Sequence, residues 1–201
     1  MKVTLDKNFP MPASAATAWA LLQDIEGVAN CMPGAKITER IDDRHYKGTV
    51  AVKFGPASMS FRGEVEVREI DAATQTLRLF AKGTDTTGSS AASMDLTARV
   101  EPIDAASCNL LGTSEVSMSG KAATFGGRMM GSVADQVLKQ FAANFATQVQ
   151  ALQVRQAADA PAAAATATAA PPQAPTQLNG LALMWAVIKD WLRSLFAAKK
   201  A

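Results

Sequence analysis

Side chains able to do acid–base or nucleophilic chemistry are scarce: one histidine, one tyrosine and two cysteines in 201 residues. His45 and Tyr46 follow Asp42-Asp43-Arg44, a run that reads as a tight turn, so His45 is expected on an exposed hairpin. Cys31 with His45 is the one conceivable nucleophile pair, and nothing local brings the two together. Cys31 and Cys108 belong to no CxxC or Cys/His ligand set, which points to structural thiols in a reducing compartment. Glu64 and Glu66 share a face, but strand alternation assigns that face to solvent. Gly126-Gly127-Arg128 lacks the preceding strand and the Lys-Ser/Thr ending of a phosphate loop. No catalytic residue and no metal ligand are therefore expected.

The elements around these residues are better defined than the residues themselves. From Lys121 to Val154, Val133, Val137, Phe141, Phe145 and Val149 recur every four residues, with Met130, Leu138 and Leu152 beside them. That is the apolar stripe of one long helix, and Arg128, Asp135, Lys139, Gln140, Asn144 and Gln148 form its wet face. What precedes it reads mostly as strands. Val3, Leu5 and Phe9 suggest a first strand ending at Pro10, and Ser14 is placed to cap a short helix carrying Ala18, Trp19 and Leu22. A second short helical turn covers Asp24 to Asn30, before the Pro33-Gly34 turn. From Lys36 the pattern has period two, cleanest where Met59, Phe61, Gly63, Val65 and Val67 alternate with Ser60, Arg62, Glu64, Glu66 and Arg68. Gly83 to Ser89 reads as a small-residue loop. The expected order is strand, two short helices, about six strands and one long helix, an antiparallel sheet with one dry face.

Several inward positions are small: Gly48, Gly63, Ala92, Gly112 and Ser114. Two explanations stand side by side. Glycines permit a sharply bent sheet, or the missing side-chain volume leaves room for something else, because interiors otherwise pack densely. Flexible fillers Met59, Met94, Met118, Met129 and Met130 lie nearby. A cavity there would be apolar with few polar groups, suiting a hydrophobic ligand more than catalysis.

Residues 1–155 carry 16 Lys or Arg against 16 Asp or Glu, and this neutral balance argues against the basic face that nucleic acid requires. Gln156 to Gln177 is half alanine and contains Pro161, Pro171, Pro172 and Pro175, so it cannot build a core. As a flexible tether it would span roughly 26 Å on average. Beyond it, Leu181, Met184, Trp185, Ile188, Trp191, Leu192, Leu195 and Phe196 follow helical spacing, with Lys189, Arg193, Lys199 and Lys200 among the basic residues. Lys189, Asp190 and Arg193 interrupt the run too early for a spanning helix. It fits a helix lying in a membrane interface, and also a helix docking into a protein groove. The amino terminus has no apolar h-region, so no signal peptide is expected and the protein should stay in the cytoplasm. The organisation expected is a domain over 1–154, a linker over 155–177 and an amphipathic membrane-associating helix over 178–201.

Cys31-Met32-Pro33-Gly34-Ala35, Tyr46-Lys47-Gly48 through Lys53-Phe54-Gly55-Pro56, Phe61-Arg62-Gly63, Gly120-Lys121, Phe125-Gly126-Gly127-Arg128 and the Val133–Phe145 stripe occur in a familiar order. Over roughly residues 1–152 the chain resembles the family of the carbon monoxide dehydrogenase G-subunit, within the START-like (SRPBCC), helix-grip superfamily. The resemblance implies an α+β helix-grip fold, a curved antiparallel sheet gripping the long helix around an apolar cavity. It also implies an accessory role, recruiting a molybdenum-containing dehydrogenase to the cytoplasmic membrane, with a quinone or lipid as a natural cavity ligand and no covalent cofactor. The superfamily also contains cyclases and hydratases, so an enzyme using His45, Tyr46 or Cys31 is a second reading, and a recruitment factor with a closed interior a third. Cavity residues would be Trp19, Val50, Phe54, Met59, Phe61, Leu79, Met94, Met118, Met130, Val133, Val137 and Phe141. The mouth would be Cys31, Met32, Pro33, Gly34, Gly55 and Pro56, together with the loop from Gly83 to Gly88.

Overall fold

The structure is a computed structural model and describes residues 1–54 and 57–159. Strand β1 (Lys2–Met11) leads to helices α1 (Ala15–Gln23) and α2 (Ile25–Cys31). Six strands follow: β2 (Ala35–Arg40), β3 (His45–Phe54), β4 (Ala57–Asp71), β5 (Thr76–Asp85), β6 (Ser90–Pro102) and β7 (Cys108–Gly120). A tight 3-10 turn, Lys121–Phe125, then opens helix α3 (Gly126–Asp159). The strands form one antiparallel sheet in the order β1-β7-β6-β5-β4-β3-β2, as the alternation anticipates.

Local chemistry fixes the element ends. Ser14 Oγ accepts from the Thr17 N–H at 3.2 Å and caps α1, while Asp24 Oδ1 accepts from the Gly27 N–H at 3.0 Å and caps α2. Pro10 is tolerated inside β1 because that strand is an edge. The long helix begins later than the stripe suggests. Gly120 and Gly126, at φ 70° and 77°, flank the 3-10 turn with left-handed backbone that interrupts helical geometry. At its other end α3 continues past Val154 to Asp159. Gly83, expected in a loop, lies within β5 opposite Gly63, so the connection shrinks to residues 86–89.

The core divides into two clusters. The larger packs Trp19, Leu21, Leu22 and Ile25 of the short helices against Leu77, Leu79, Val100 and Leu110 of the sheet and Phe145 and Val149 of α3. The smaller gathers Phe61, Met118, Ala122 and Met130, with Val50, Val52, Met59, Phe125 and Val133 partly buried against them. Polar groups clamp the larger cluster. Asn144, expected on the wet face of α3, donates from Nδ2 to the Cys31 carbonyl at 2.9 Å, satisfying an orphan acceptor at the end of α2. Gln153 Oε1 accepts from the Ser14 N–H and Gln156 Oε1 from the Thr17 hydroxyl, each at 3.0 Å.

Candidate functional site

The inward glycines are not equivalent. Gly48, Gly63 and Gly83 stand in one cross-strand row continuing to Ala92 and Met118. A Cβ on Gly63 would meet the Lys82 carbonyl oxygen at 2.0 Å, and one on Gly48 the Lys36 carbonyl oxygen at 2.8 Å. These two serve close backbone approach, where the sheet bends. Gly112 is different, because a Cβ there would meet nothing nearer than Leu96 Cδ1 at 4.0 Å. At this position the small residue leaves room.

That room adjoins the middle of α3. Val50, Val52, Met59, Met94, Leu96, Val116, Val133, Val137 and Phe141 face the interior yet are only half-buried. Val137, between the two clusters on the stripe of α3, packs into neither. The other eight each pack against one of the two clusters, so Val137 marks the boundary between them. The candidate site is the apolar stretch between α3 and the sheet around Val137, with the larger cluster at one end and the smaller at the other.

The sequence-derived cavity residues divide between the two clusters, with Val137 in neither. Trp19 and Leu79 are buried in the larger cluster, with Met94 and Phe141 packed against it. Val50, Met59, Phe61, Met118, Met130 and Val133 belong to the smaller one. Phe54 closes β3, and its side chain lies outside the described set. Of the mouth residues, Cys31 is wholly buried, Met32 and Pro33 are half-buried and Gly34 is exposed. Gly55, Pro56 and all the tail residues from Leu181 to Lys200 lie outside the described residues.

Sequence reasoning overlooked a polar pair at the edge of the interval. Lys7 has the same parity as Val3, Leu5 and Phe9, so it points inward from β1, opposite Gly112. Its ammonium reaches Asp135 of α3 at 2.9 Å, and this partner holds the Asp135 carboxyl below the usual carboxylate range. The parity was visible in the sequence, but the partner on α3 was not.

The reactive side chains are held apart. His45 pairs with Asp42 at 2.9 Å in an exposed turn, where the Arg44 N–H and then the imidazole pull the Asp42 carboxyl down. The Tyr46 hydroxyl donates to the Asp43 carbonyl at 3.4 Å. Burial, and secondarily Asp24, push the Cys31 thiol up, and it donates to the Gly27 carbonyl at 3.3 Å. A buried, protonated thiol of this kind is a poor nucleophile. Among the described residues no group of three or more His, Cys, Asp or Glu is placed to hold a metal. No helix among them is long and apolar enough to cross a membrane.

Asp85 anchors the turn between β5 and β6 and ties it to the 3-10 turn that precedes α3. Its carboxylate accepts from the Thr87 hydroxyl, the Ser89 hydroxyl and the Ser90 N–H, and Ser90 Oγ accepts in turn from the Ala122 N–H. The Thr87 hydroxyl is the leading cause of a lowered Asp85 pKa. A depressed folded pKa gives stability that is present above the unfolded value, about 3.9, and lost as pH falls through the folded one. Asp85→Asn should therefore lower the melting temperature at pH 7, with the gap to wild type closing as both are titrated toward about pH 3. A gap that stays constant across this titration would show that the carboxylate charge contributes nothing.

The outer face of the sheet carries a separate groove of about 750 Å³, lined by Lys47, Arg62, Glu64, Lys82, Ser93, Ser117 and their neighbours. Its charged and hydroxyl side chains do not suit an apolar ligand.

A curved seven-stranded antiparallel sheet closed by a long carboxy-terminal helix over an apolar interval defines a START-like, helix-grip protein. The family profile of the carbon monoxide dehydrogenase G-subunit (CoxG) matches residues 8–150, and the chain belongs to that family. Among solved structures it is similar to a conserved protein from Geobacillus kaustophilus, at TM-score 0.67 and 20% identity, over 74% of this chain and 96% of that one. It is similar also to the ZhuI aromatase/cyclase from Streptomyces sp. R1128, at TM-score 0.54 and 15% identity, over 75% and 94%. A START superfamily protein from Mycobacterium smegmatis matches at TM-score 0.51 and 18% identity, over 74% and 98%. A sequence comparison with curated proteins gives no match. At these identities the structural likeness shows the fold alone, and family membership supports a ligand-binding accessory role.

Proposed function

We propose that this protein is a non-enzymatic carrier and adaptor. It holds a hydrophobic, quinone-like ligand between α3 and the sheet, and it links a cytoplasmic molybdenum-containing dehydrogenase of the carbon monoxide dehydrogenase type to the membrane and its respiratory chain. The observation that carries the reading is the half-buried inward stripe of α3, on which Val133 packs against the smaller cluster, Phe141 against the larger and Val137 against neither. The dehydrogenase partner follows from the family to which residues 8–150 belong. Catalysis draws no support from His45, Tyr46 and Cys31, which lie outside the site and each bond another partner.

In this reading residues 178–201 hold the protein on the inner face of the membrane. Leu181, Trp185, Ile188 and Trp191 enter the interface, and each basic residue near an anionic surface adds about 1 kcal/mol. The full chain should float with vesicles containing phosphatidylglycerol, and a chain ending at residue 177 should remain in the aqueous fraction. Equal flotation of both would refute the membrane role of the tail. The carrier role is tested separately by titrating the full chain with N-phenyl-1-naphthylamine, whose fluorescence should rise to saturation at one equivalent. An unchanged signal would refute the carrier role.

A further inference from the structure

Ser114 is anomalous on the inner face of β7. It sits between Leu5 of β1 and Leu96 of β6 in the sheet register, so its neighbours across both strands are leucines. The residue is only 8% exposed, and among the described residues its hydroxyl has no hydrogen-bond partner. A hydroxyl left unpaired in an apolar setting is costly. Every fully enclosed side-chain oxygen or nitrogen in the described residues does have a partner, so the Ser114 oxygen borders space that water-sized molecules reach. Two residues along β7, Gly112 leaves the open volume already described. Lys7, opposite Gly112, is the diagonal neighbour of Ser114, within the roughly 7–8 Å typical of such pairs. On the facing helix Gly131 lies one turn before Asp135, and a Cβ added there would meet nothing within 4 Å.

We propose that Ser114, with Lys7 beside it, is the polar end of the ligand site, and that the site takes a neutral amphipathic molecule bearing a hydrogen-bond-accepting oxygen. The Ser114 hydroxyl donates to that oxygen while the apolar remainder lies along Val137 and Phe141. Neutrality follows from Asp135, which already balances the Lys7 charge at 2.9 Å, so an anion would have to displace that carboxylate. Lys7 and Asp135, bridging β1 and α3 at side-chain exposures of 36% and 53%, place this polar end of the site toward solvent. This proposal rests on the carrier reading and adds the chemistry of the ligand.

The test uses the full chain and a matched pair of competitors for bound N-phenyl-1-naphthylamine: 2-acetylnaphthalene, which has a carbonyl, and 2-ethylnaphthalene, which lacks one. A single net hydrogen bond predicts that the acetyl compound binds about two- to tenfold tighter. Ser114→Ala should abolish that preference without changing affinity for the ethyl compound, and Ser114→Thr should restore it. The anion 2-naphthoate should bind more weakly than the acetyl compound. A wild type that shows no preference, a preference that survives in Ser114→Ala, or a tighter naphthoate overturns the proposal while leaving the carrier reading intact. If the probe itself does not bind, the carrier reading falls and this proposal with it.

Discussion

Phe145→Ala should destabilise the protein by about 3–5 kcal/mol, on the order of 10 °C in melting temperature for a domain of this size. Phe145 is 0% exposed and stands where α3 crosses α1 and α2. Its ring is 5.7 Å from that of Phe141 at a tilt of 43°, so truncation removes an aromatic contact as well as buried area. The surrounding elements are tied by Asn144 to the Cys31 carbonyl and by Gln153 to the Ser14 N–H, which limits collapse into the cavity left behind. Phe141 is one turn away on the same stripe but only half-buried. Phe141→Ala should cost markedly less, because part of its surface already touches open space. Thermal denaturation of the two variants measures the difference directly, and equal losses would mean that the interior beside Phe141 is packed like that beside Phe145.

The second large effect separates two glycines that look identical in the sequence. Gly63→Ala places a Cβ 2.0 Å from the Lys82 carbonyl oxygen and 2.7 Å from Gly83 Cα. Both obstacles are backbone, so β4 and β5 must part and the sheet should fail to form stably. Gly112→Ala meets only open space. It should leave stability unchanged or raise it by about 0.5–1 kcal/mol, since a strand glycine is itself unfavourable. Gly112→Leu should then keep the fold and fill the interval, weakening uptake of N-phenyl-1-naphthylamine at least tenfold. Circular dichroism melts and the fluorescence titration read these outcomes. A Gly112→Leu protein that binds the probe as well as wild type would place the ligand elsewhere.

The glycine pair also shows where sequence reading stops. Alternation identified Gly48, Gly63 and Gly112 as inward, but bending and vacancy give the same one-letter pattern. Only the position of the neighbouring strand distinguishes them. Elements with strong periodicity were legible: the β4 alternation, the α3 stripe and the Ser14 cap all recur in the fold. Boundaries set by competition between local signals were not. The start of α3 was obscured because Gly120 and Gly126 impose positive φ on an otherwise helical stretch. Asn144 reads as a solvated side chain, and its role appears only when α2 ends within reach of its amide. Lys7 was legible by parity as an inward lysine, and its meaning awaited Asp135, which lies far along the chain. The Asp85–Ser90–Ala122 network joins the β5–β6 turn to the 3-10 turn that precedes α3, a contact that no periodicity encodes.

In the cell, the interval between α3 and the sheet should hold a ligand. Native mass spectrometry of the full chain purified from its own cells, followed by organic extraction, tests this most directly. Wild type should carry one neutral amphipathic molecule per protein, and Gly112→Leu none. Wild-type protein that carries nothing, or a Gly112→Leu variant that carries the same molecule in the same amount, would contradict it.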